Sequence, residues 1–287
     1  MRFLKAFSGA IILYILFFVG FSPMSGCKKD ILHDTTVRII HDTAIKDVRD
    51  TTIVKDSVYD LLDGLVAYYN FNGGNLNDSS GYNNHIVSNT ATQTADRFGN
   101  PNNAYLFDGA NSYMKVLNSA SLNPDHISIF AIVKVNGFST ESCHGNQIIG
   151  KGHPDNASGI YALRFADSNA CVLPIDSAHE RFDAFFGNNH PIGTAEASSD
   201  SVYVQKNQWY ALTFTYDGFY ARFYINGKLK NERPNIIFPD QNGNDVYIGR
   251  FEDAVFPYWF NGVIDEIRIY SRALPAEAVK QLSNQKN

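Results

Sequence analysis

The sequence predicts an all-β protein that folds as a sandwich of two antiparallel sheets and carries one short helix near its C-terminus. Short apolar or alternating segments recur from residue 64 onward, with turn residues between them, which is typical of β-sandwiches. Asp217-Gly218 and Asn226-Gly227 are strong signals for tight hairpins. Helix-forming Glu is rare, with seven Glu against 22 Asp, so we expect a single helix at residues 275–282, where Pro275 suits the first helical position.

The individual strands are expected where β-branched and aromatic residues cluster between turns. Tyr and Phe are abundant, with 16 and 21 copies. The predicted strands are residues 65–71, 104–107, 113–117, 127–135, 147–150, 160–165, 181–186, 202–205, 209–216, 220–225, 246–249 and 263–270.

The first 26 residues have the order of features found in an export signal. Arg2 and Lys5 form a short positive region, residues 10–21 are apolar, and small residues follow, as in secretory signals. The stretch Met24-Ser25-Gly26-Cys27 resembles the bacterial lipobox, with Met in place of the usual Leu. We therefore expect cleavage before Cys27 and lipidation of that cysteine. A plain signal peptide and an uncleaved anchor are the alternatives, although the apolar run is shorter than the roughly 20 residues of a membrane span.

Residues 27–63 are expected to form a linker with an eight-residue repeat. The repeat units are 33–40, 41–48 and 49–56, and each begins with a basic residue or His followed by Asp. An even period keeps each position on one face of an extended chain, and we interpret the His-Asp pairs as solvated positions rather than as metal sites. Such a spacer could reach roughly 120 Å at about 3.3 Å per residue. It would hold a lipid-anchored domain of the cell envelope away from the membrane surface, at the outer membrane or cell surface.

Charge and cysteine usage narrow the class of protein. The net charge of −5 and the absence of a basic stripe argue against nucleic-acid binding. With Cys27 assigned to lipid, Cys143 and Cys171 remain, and an even pair in an exported domain predicts a disulfide. A free thiol, or a Cys/His metal site that includes His144, is the alternative.

Several segments resemble a laminin-G-like, concanavalin A-like jelly-roll domain, in order and without a gap over residues 64–284. Because this fold carries many functions, the resemblance implies the architecture of residues 64–287, a jelly-roll β-sandwich, more than it implies a ligand. The segments are Gly64-Leu65-Val66-Ala67-Tyr68-Tyr69-Asn70-Phe71, Asn77-Asp78-Ser79-Ser80-Gly81, Ala104-Tyr105-Leu106-Phe107-Asp108-Gly109, residues 208–227, and Phe260-Asn261-Gly262-Val263-Ile264-Asp265-Glu266-Ile267-Arg268 with its continuation to Leu274.

The carboxylate pattern of the glucanases that share this fold is missing. Those enzymes place Glu-x-Asp-x-x-Glu on one strand, so that side chains two positions apart share a face. None of the seven Glu has an Asp two positions later, and no Gly-x-Ser-x-Gly elbow occurs. In an uninterrupted strand Asp265 and Glu266 would point to opposite faces, which suits joint acid–base work poorly. We predict that the chain is not an enzyme.

The resemblance also implies a structural calcium ion near the sheet ends that join the first and last strands. Asp78, Asp108 and Asp265 are the candidate ligands, because Asp78 and Asp108 lie in oxygen-rich turns and Asp265 shares a predicted core face with Ile267 and Ile269. Calcium takes six to eight oxygen ligands. The alternatives are an Asx turn for Asp78, a turn cap for Asp108 and an Arg partner for Asp265.

An aromatic and polar loop at residues 251–259 is the candidate ligand site. Sugars favour aromatic platforms beside polar groups, so the candidate contacts are Arg250, Tyr258 and Trp259, joined by Tyr82 and His153. The alternative is that Tyr258 and Trp259 pack under the loop as core residues and that His153 belongs to a turn. The leading hypothesis is a cell-envelope lipoprotein whose non-catalytic domain binds glycan. The alternatives are a structural or adhesion component that binds surface proteins and, least favoured, a glycan hydrolase.

Overall fold

The computed structural model describes residues 58–138, 146–152, 161–165, 180–187, 194–237, 243–253 and 257–285. The signal at 1–26, Cys27, the repeat, Cys143, Cys171 and His153 lie outside these ranges, so the anchor, the spacer and the disulfide stay predictions. Within the described ranges no helix is both long and apolar enough to cross a membrane.

The described chain is almost entirely β-structure, which confirms the predicted class. The helix α1 spans Ala276–Ser283, one residue from its predicted bounds. The strands are β1 Leu65–Tyr69, β2 Ile86–Asn89, β3 Thr92–Thr94, β4 Ala104–Asp108, β5 Met114–Val116, β6 Ile127–Val135, β7 Gln147–Lys151, β8 Tyr161–Phe165, β9 Arg181–Gly187, β10 Thr194–Tyr203, β11 Trp209–Tyr216, β12 Tyr220–Ile225, β13 Lys228–Pro234, β14 Val246–Ile248 and β15 Asn261–Tyr270.

The strands form two antiparallel sheets. The eight-stranded sheet has the order β13-β12-β11-β6-β15-β4-β3, with β1 also paired to β15. The seven-stranded sheet has the order β10-β9-β8-β7-β14-β5-β2. Neighbouring strands in each sheet are often distant in sequence, so the order of the strands along the chain does not show which side chains lie together.

The main core lies between the sheets, and a second apolar layer covers the outer face of the eight-stranded sheet. In β6, Ile129 and Ala131 face the main core whereas Phe130 and Ile132 face outward, as the two-residue period of a strand requires. The outward residues pack against Val279 and Leu282 of α1 and against other apolar residues of the termini, which are Leu61, Leu65, Leu274 and Ala278.

Candidate functional site

The outer face of the seven-stranded sheet carries a row of residues that are in register across six strands. The middle of the row is small and buried, with Gly150 and Ala162 side by side, while Tyr247 and Phe185 flank them. From β5 to β10 the row is Lys115, Tyr247, Gly150, Ala162, Phe185 and Glu196. Partly exposed side chains therefore gather at the two ends of the row.

At the β5–β14 end, three aromatic rings surround Arg250. The guanidinium carbon of Arg250 lies 4.9 Å from the ring centroid of Trp259, 5.3 Å from Tyr113 and 5.4 Å from Tyr247. The Tyr113 centroid is 6.1 Å from Tyr247 and 6.3 Å from Trp259. All four side chains are partly exposed. We call these four residues the Arg250 cluster.

Local backbone geometry fixes Arg250 in this position. Gly249, just before it, has φ +83°, and a Cβ there would lie 2.3 Å from the Phe107 ring, so the turn after β14 requires glycine. Arg250 then donates through Nε to the Phe251 carbonyl at 2.6 Å and through Nη2 to the carbonyls of Glu252 and Asp253 at 3.2 and 3.1 Å. The arginine thus holds the loop and is itself held between rings.

Charged and amide groups border the cluster. Lys115 pairs with Asp245 at 2.7 Å and lies over Tyr247 at 5.7 Å. Lys151 is fully buried and donates to Asn118 Oδ1 at 2.6 Å and to the carbonyl of Asn244. Burial lowers the pKa of Lys151 to about 8, because desolvation disfavours the charged amine.

Two further polar side chains near the cluster are a partly exposed glutamate and a buried amide. Burial raises the pKa of Glu252, helped by the negative charge of Asp245, although Lys115, Lys151 and Arg250 oppose the shift. The side-chain amide of Gln147 lies over Gly150 and is buried without a hydrogen-bond partner among the described residues. Buried amides normally have partners, so this fully buried amide is an exception among the described residues.

At the β10 end of the row, the buried Asp183 lies next to an arginine and to the partly exposed Glu196. Arg164 Nε lies 3.3 Å from Asp183 Oδ2, and Asp183 also shares a hydrogen bond with Glu196. The pKa of Asp183 is raised to about 7, chiefly because burial disfavours its charged form; Arg164 opposes the rise and the neighbouring Glu196 adds to it. Asp183 therefore holds its proton more tightly than an exposed aspartate does, and Arg164 lies against its carboxylate.

The structure brings together only part of the predicted ligand site. Arg250 and Trp259 meet in the Arg250 cluster. Tyr258 is buried and packs edge-on against Phe251, with 5.2 Å between the ring centroids, so it supports the loop from below. Tyr82 is 56% exposed on the β1–β2 connection and is not one of the rings around Arg250.

Sequence reasoning missed Tyr113 and Tyr247. A signal was present, because Tyr247 stands between the buried residues Val246 and Ile248 and alternation therefore turns it to the outer face. Tyr113 immediately precedes β5, whose alternation exposes Lys115. That both rings would meet Arg250 depends on the pairing of β14 with β5, which is not apparent from the sequence.

The three predicted calcium ligands do not form one site. Among the described residues no three His, Cys, Asp or Glu side chains come together as a metal site. Asp78 accepts from the backbone nitrogens of Tyr68, Ser80 and Asn84 at 2.8 to 3.0 Å. These bonds make it a loop anchor, and calcium binding itself stays a prediction that melting curves with calcium and with chelator would test.

Asp108 and Asp265 have partners of their own. Asp108 Oδ1 accepts from the backbone nitrogens of the three residues at 110–112, at 2.8 to 2.9 Å, and its pKa falls to about 2 because these bonds outweigh burial. Asp265 pairs with Arg97 at 2.8 Å. Asp108 is thus a turn cap and Asp265 is the partner of an arginine, which are the alternatives to calcium ligation for these two residues.

The expectation that Asp265 and Glu266 face opposite sides is wrong. The pairing of β15 with β6 shifts between Ile264 and Glu266, so Asp265 is a bulge residue and breaks the alternation. As a result Arg97 Nη1 lies 2.8 Å from Asp265 and 3.7 Å from Glu266. Arg268 completes the network through Nε, 2.6 Å from Glu266 Oε1. This network belongs to the eight-stranded sheet.

Solved structures with the same fold include carbohydrate- and receptor-binding domains. Domain 4 of an extracellular arabinanase from Geobacillus stearothermophilus, solved with arabinotriose, is 21% identical with a TM-score of 0.53, over 77% of this chain and 98% of that domain. The binding domain of botulinum neurotoxin DC, in complex with SialylT, is 15% identical with a TM-score of 0.58, over 78% of this chain and 52% of that one.

A second neurotoxin structure, the receptor-binding domain of the mosaic serotype C/D, is 16% identical with a TM-score of 0.58. The chain spans about half the length of these neurotoxin structures. At such identities the likeness shows the fold alone. No curated protein matches the sequence.

The family relationship rests on the sequence rather than on these structures. The family model described as the concanavalin A-like lectin/glucanases superfamily matches residues 108–280, which is more than half of the chain. That span runs from the end of β4 into α1 and contains the whole Arg250 cluster. The chain therefore belongs to the concanavalin A-like lectin/glucanases superfamily.

Proposed function

We propose that this protein is a non-catalytic glycan-recognition protein of the cell envelope and that the Arg250 cluster is its contact site. The observation that carries the proposal is that three partly exposed rings, Tyr113, Tyr247 and Trp259, gather around one arginine fixed by backbone carbonyls. Ligand sites combine aromatic surface with a few fixed polar groups, and this cluster has both.

The chemistry of the cluster suits sugars. Aromatic rings present flat apolar faces to the C–H surface of a pyranose or furanose, while hydroxyl groups need donors and acceptors at its edge. Arg250 and the Lys115–Asp245 pair provide these beside the rings. The arabinotriose bound to the arabinanase domain and the SialylT bound to the neurotoxin domain support the proposal at the level of the fold.

Binding without catalysis is favoured by the position of the carboxylates. A glycosidase needs two carboxyl groups that both reach the scissile bond. Asp183 is 1% exposed and engaged by Arg164 and Glu196, and Asp265 and Glu266 are buried in an ion-pair network on the other sheet. Reproducible glycan cleavage by the purified protein, lost in an Asp183→Asn variant, would contradict this part of the proposal.

A glycan array with the purified full chain and two tryptophan variants tests the site. The chain has only two tryptophans: Trp209 begins β11 of the eight-stranded sheet, whereas Trp259 lies in the loop before β15. Trp259→Ala removes a ring of the Arg250 cluster and should abolish array binding. Trp209→Ala is the matched control, because Trp209 packs against the layer under α1 with Lys134 at 5.2 Å. Binding that survives in Trp259→Ala would exclude the Arg250 cluster as the site.

A second candidate function, adhesion through a protein partner, is favoured by one apolar surface. Phe219 and Ile236 are 63% and 65% exposed at the end of the β12–β13 hairpin. With Tyr220, Pro234 and Asn235 they line a shallow depression of about 500 Å³. A Phe219→Ser variant should leave glycan binding intact. If Phe219→Ser abolished adhesion to intact cells while Trp259→Ala did not, adhesion through a protein partner would replace glycan recognition as the proposed function.

We further propose that Cys27 carries the lipid that attaches this domain to the envelope, with residues 28–63 as the spacer. The order of features in residues 1–27 supports this. Metabolic labelling with an alkyne fatty acid should mark the protein in the membrane fraction, and Cys27→Ala should lose the label. A Cys27→Ala protein that stays labelled would contradict lipidation at this residue.

A further inference from the structure

We infer that the Arg250 cluster selects acidic glycans, with Arg250 pairing to a sugar carboxylate while the rings contact the sugar itself. This inference rests on the proposed glycan site and adds the class of sugar that it binds. Two observations carry it: Arg250 has no carboxylate partner of its own, and one of its nitrogens is left free.

The missing partner distinguishes Arg250 from comparable arginines. In the described part of the chain, five arginines lie over an aromatic ring, and four of them also pair with a carboxylate. The four are Arg97 with Asp265, Arg164 with Asp183, Arg222 with Asp217 and Glu232, and Arg268 with Glu266. Arg250 lies over three rings and binds only neutral carbonyls.

The free nitrogen determines where a ligand would pair. Nε and Nη2 of Arg250 are occupied by the carbonyls of the loop at 251–253, whereas Nη1 has no acceptor among the described residues. The guanidinium is already fixed by these carbonyls and lies against the rings of Trp259 and Tyr113, so little side-chain freedom is lost when a ligand binds. A charge-assisted hydrogen bond from Nη1 to a carboxylate is stronger than one to a neutral hydroxyl.

The neighbouring charges leave this position open to an anion. Lys115 is compensated by Asp245 at 2.7 Å, so that pair neither attracts nor repels strongly. Lys151 is buried against neutral oxygens and adds positive charge behind the cluster. Glu252 is the opposing group, and removing its charge should strengthen the binding of an acidic sugar.

Paired acidic and esterified oligosaccharides test the inference. Oligogalacturonate, hyaluronan and alginate oligosaccharides and their methyl esters would be titrated against the full chain by calorimetry, alongside any neutral glycan found on the array. We expect at least one acid to bind about tenfold more tightly than its ester. Arg250→Gln should remove that difference, whereas Arg222→Gln, a ring-stacked but ion-paired arginine, should leave it unchanged.

A second variant keeps the test decisive if Arg250→Gln disturbs the loop. Glu252→Gln retains the loop carbonyls and should tighten binding of the acid severalfold with no change for the ester. Equal binding of acid and ester, or binding of neutral glycans only, would overturn the inference and leave the proposed glycan site standing. Binding of no glycan of either kind would overturn both.

Discussion

The outer faces of the two sheets carry similar aromatic and arginine residues, but these residues serve stability on one face and are available for binding on the other. On the eight-stranded sheet, Trp209 packs against an apolar layer that includes α1 and the segment before β1. Arg97 and Arg268 there are matched by the carboxylates of Asp265 and Glu266. Beside the seven-stranded sheet, in the connection from β14 to β15, Trp259 lies against Arg250, which has no carboxylate partner among the described residues. The comparison teaches that a satisfied face serves stability, whereas an unsatisfied one is where a ligand should bind.

The largest effect is expected from breaking the ion-pair network of the satisfied face. Arg97→Ala leaves Asp265, which is fully buried, without its cation, and such a loss typically costs about 3–5 kcal/mol in the free energy of unfolding. Urea denaturation measures it. Arg272→Ala is the control, because the side chain of its partner Asp63 is 70% exposed. This variant should lower the free energy of unfolding by less than about 1 kcal/mol. Equal costs would mean that the network stabilises no more than a surface pair.

A cavity under α1 should cost slightly less. Leu282 is 1% exposed in the apolar layer of α1, and truncation of a buried leucine to alanine lowers the free energy of unfolding by about 3 kcal/mol. Glycan binding by the folded protein should be unchanged, because the layer lies on the other sheet. Loss of binding in Leu282→Ala at temperatures where the protein is still folded would show that the two faces are coupled.

The pH dependence of stability should report the acidic pair on the seven-stranded sheet. Burial raises the pKa of Asp183 from 3.8 to about 7, so the folded state binds this proton more tightly than the unfolded chain does. The resulting stabilisation is complete below about pH 4 and is lost as the pH rises toward 7. The side chain at this position cannot ionise in an Asp183→Asn variant. In urea unfolding, the free energy of unfolding of this variant relative to that of the wild type should therefore be higher at pH 7.5 than at pH 5. A constant difference would contradict the raised pKa.

The smallest effect on stability is expected at the Arg250 cluster itself. Trp259→Ala removes a partly exposed ring and one cation–π contact, which should cost about 1 kcal/mol in the free energy of unfolding. The same variant should lose ligand binding. Thermal unfolding and glycan titration of one preparation would compare the two, and a destabilisation as large as that of Leu282→Ala would mean that Trp259 belongs to the core.

The sequence by itself determined the fold class, the helix and most of the strands. Alternation and hairpin signals are local, and a strand such as β11, predicted at 209–216, has those bounds in the structure. The charged strand β13 was missed because Lys228–Pro234 has no apolar alternation. Its pairing comes from the hairpin that it forms with β12. The aromatic loop that contains Trp259 was also evident from composition alone.

Only the tertiary structure decided which of these residues form a site. Tyr113, Tyr247 and Trp259 converge on Arg250 because β14 pairs with β5 and β7, strands that lie far from it in sequence. The bulge at Asp265 depends likewise on pairing with β6, and it turned a predicted calcium ligand into the partner of Arg97. Strand formation follows from local pattern, whereas the meeting of side chains depends on long-range register, which a single sequence does not specify.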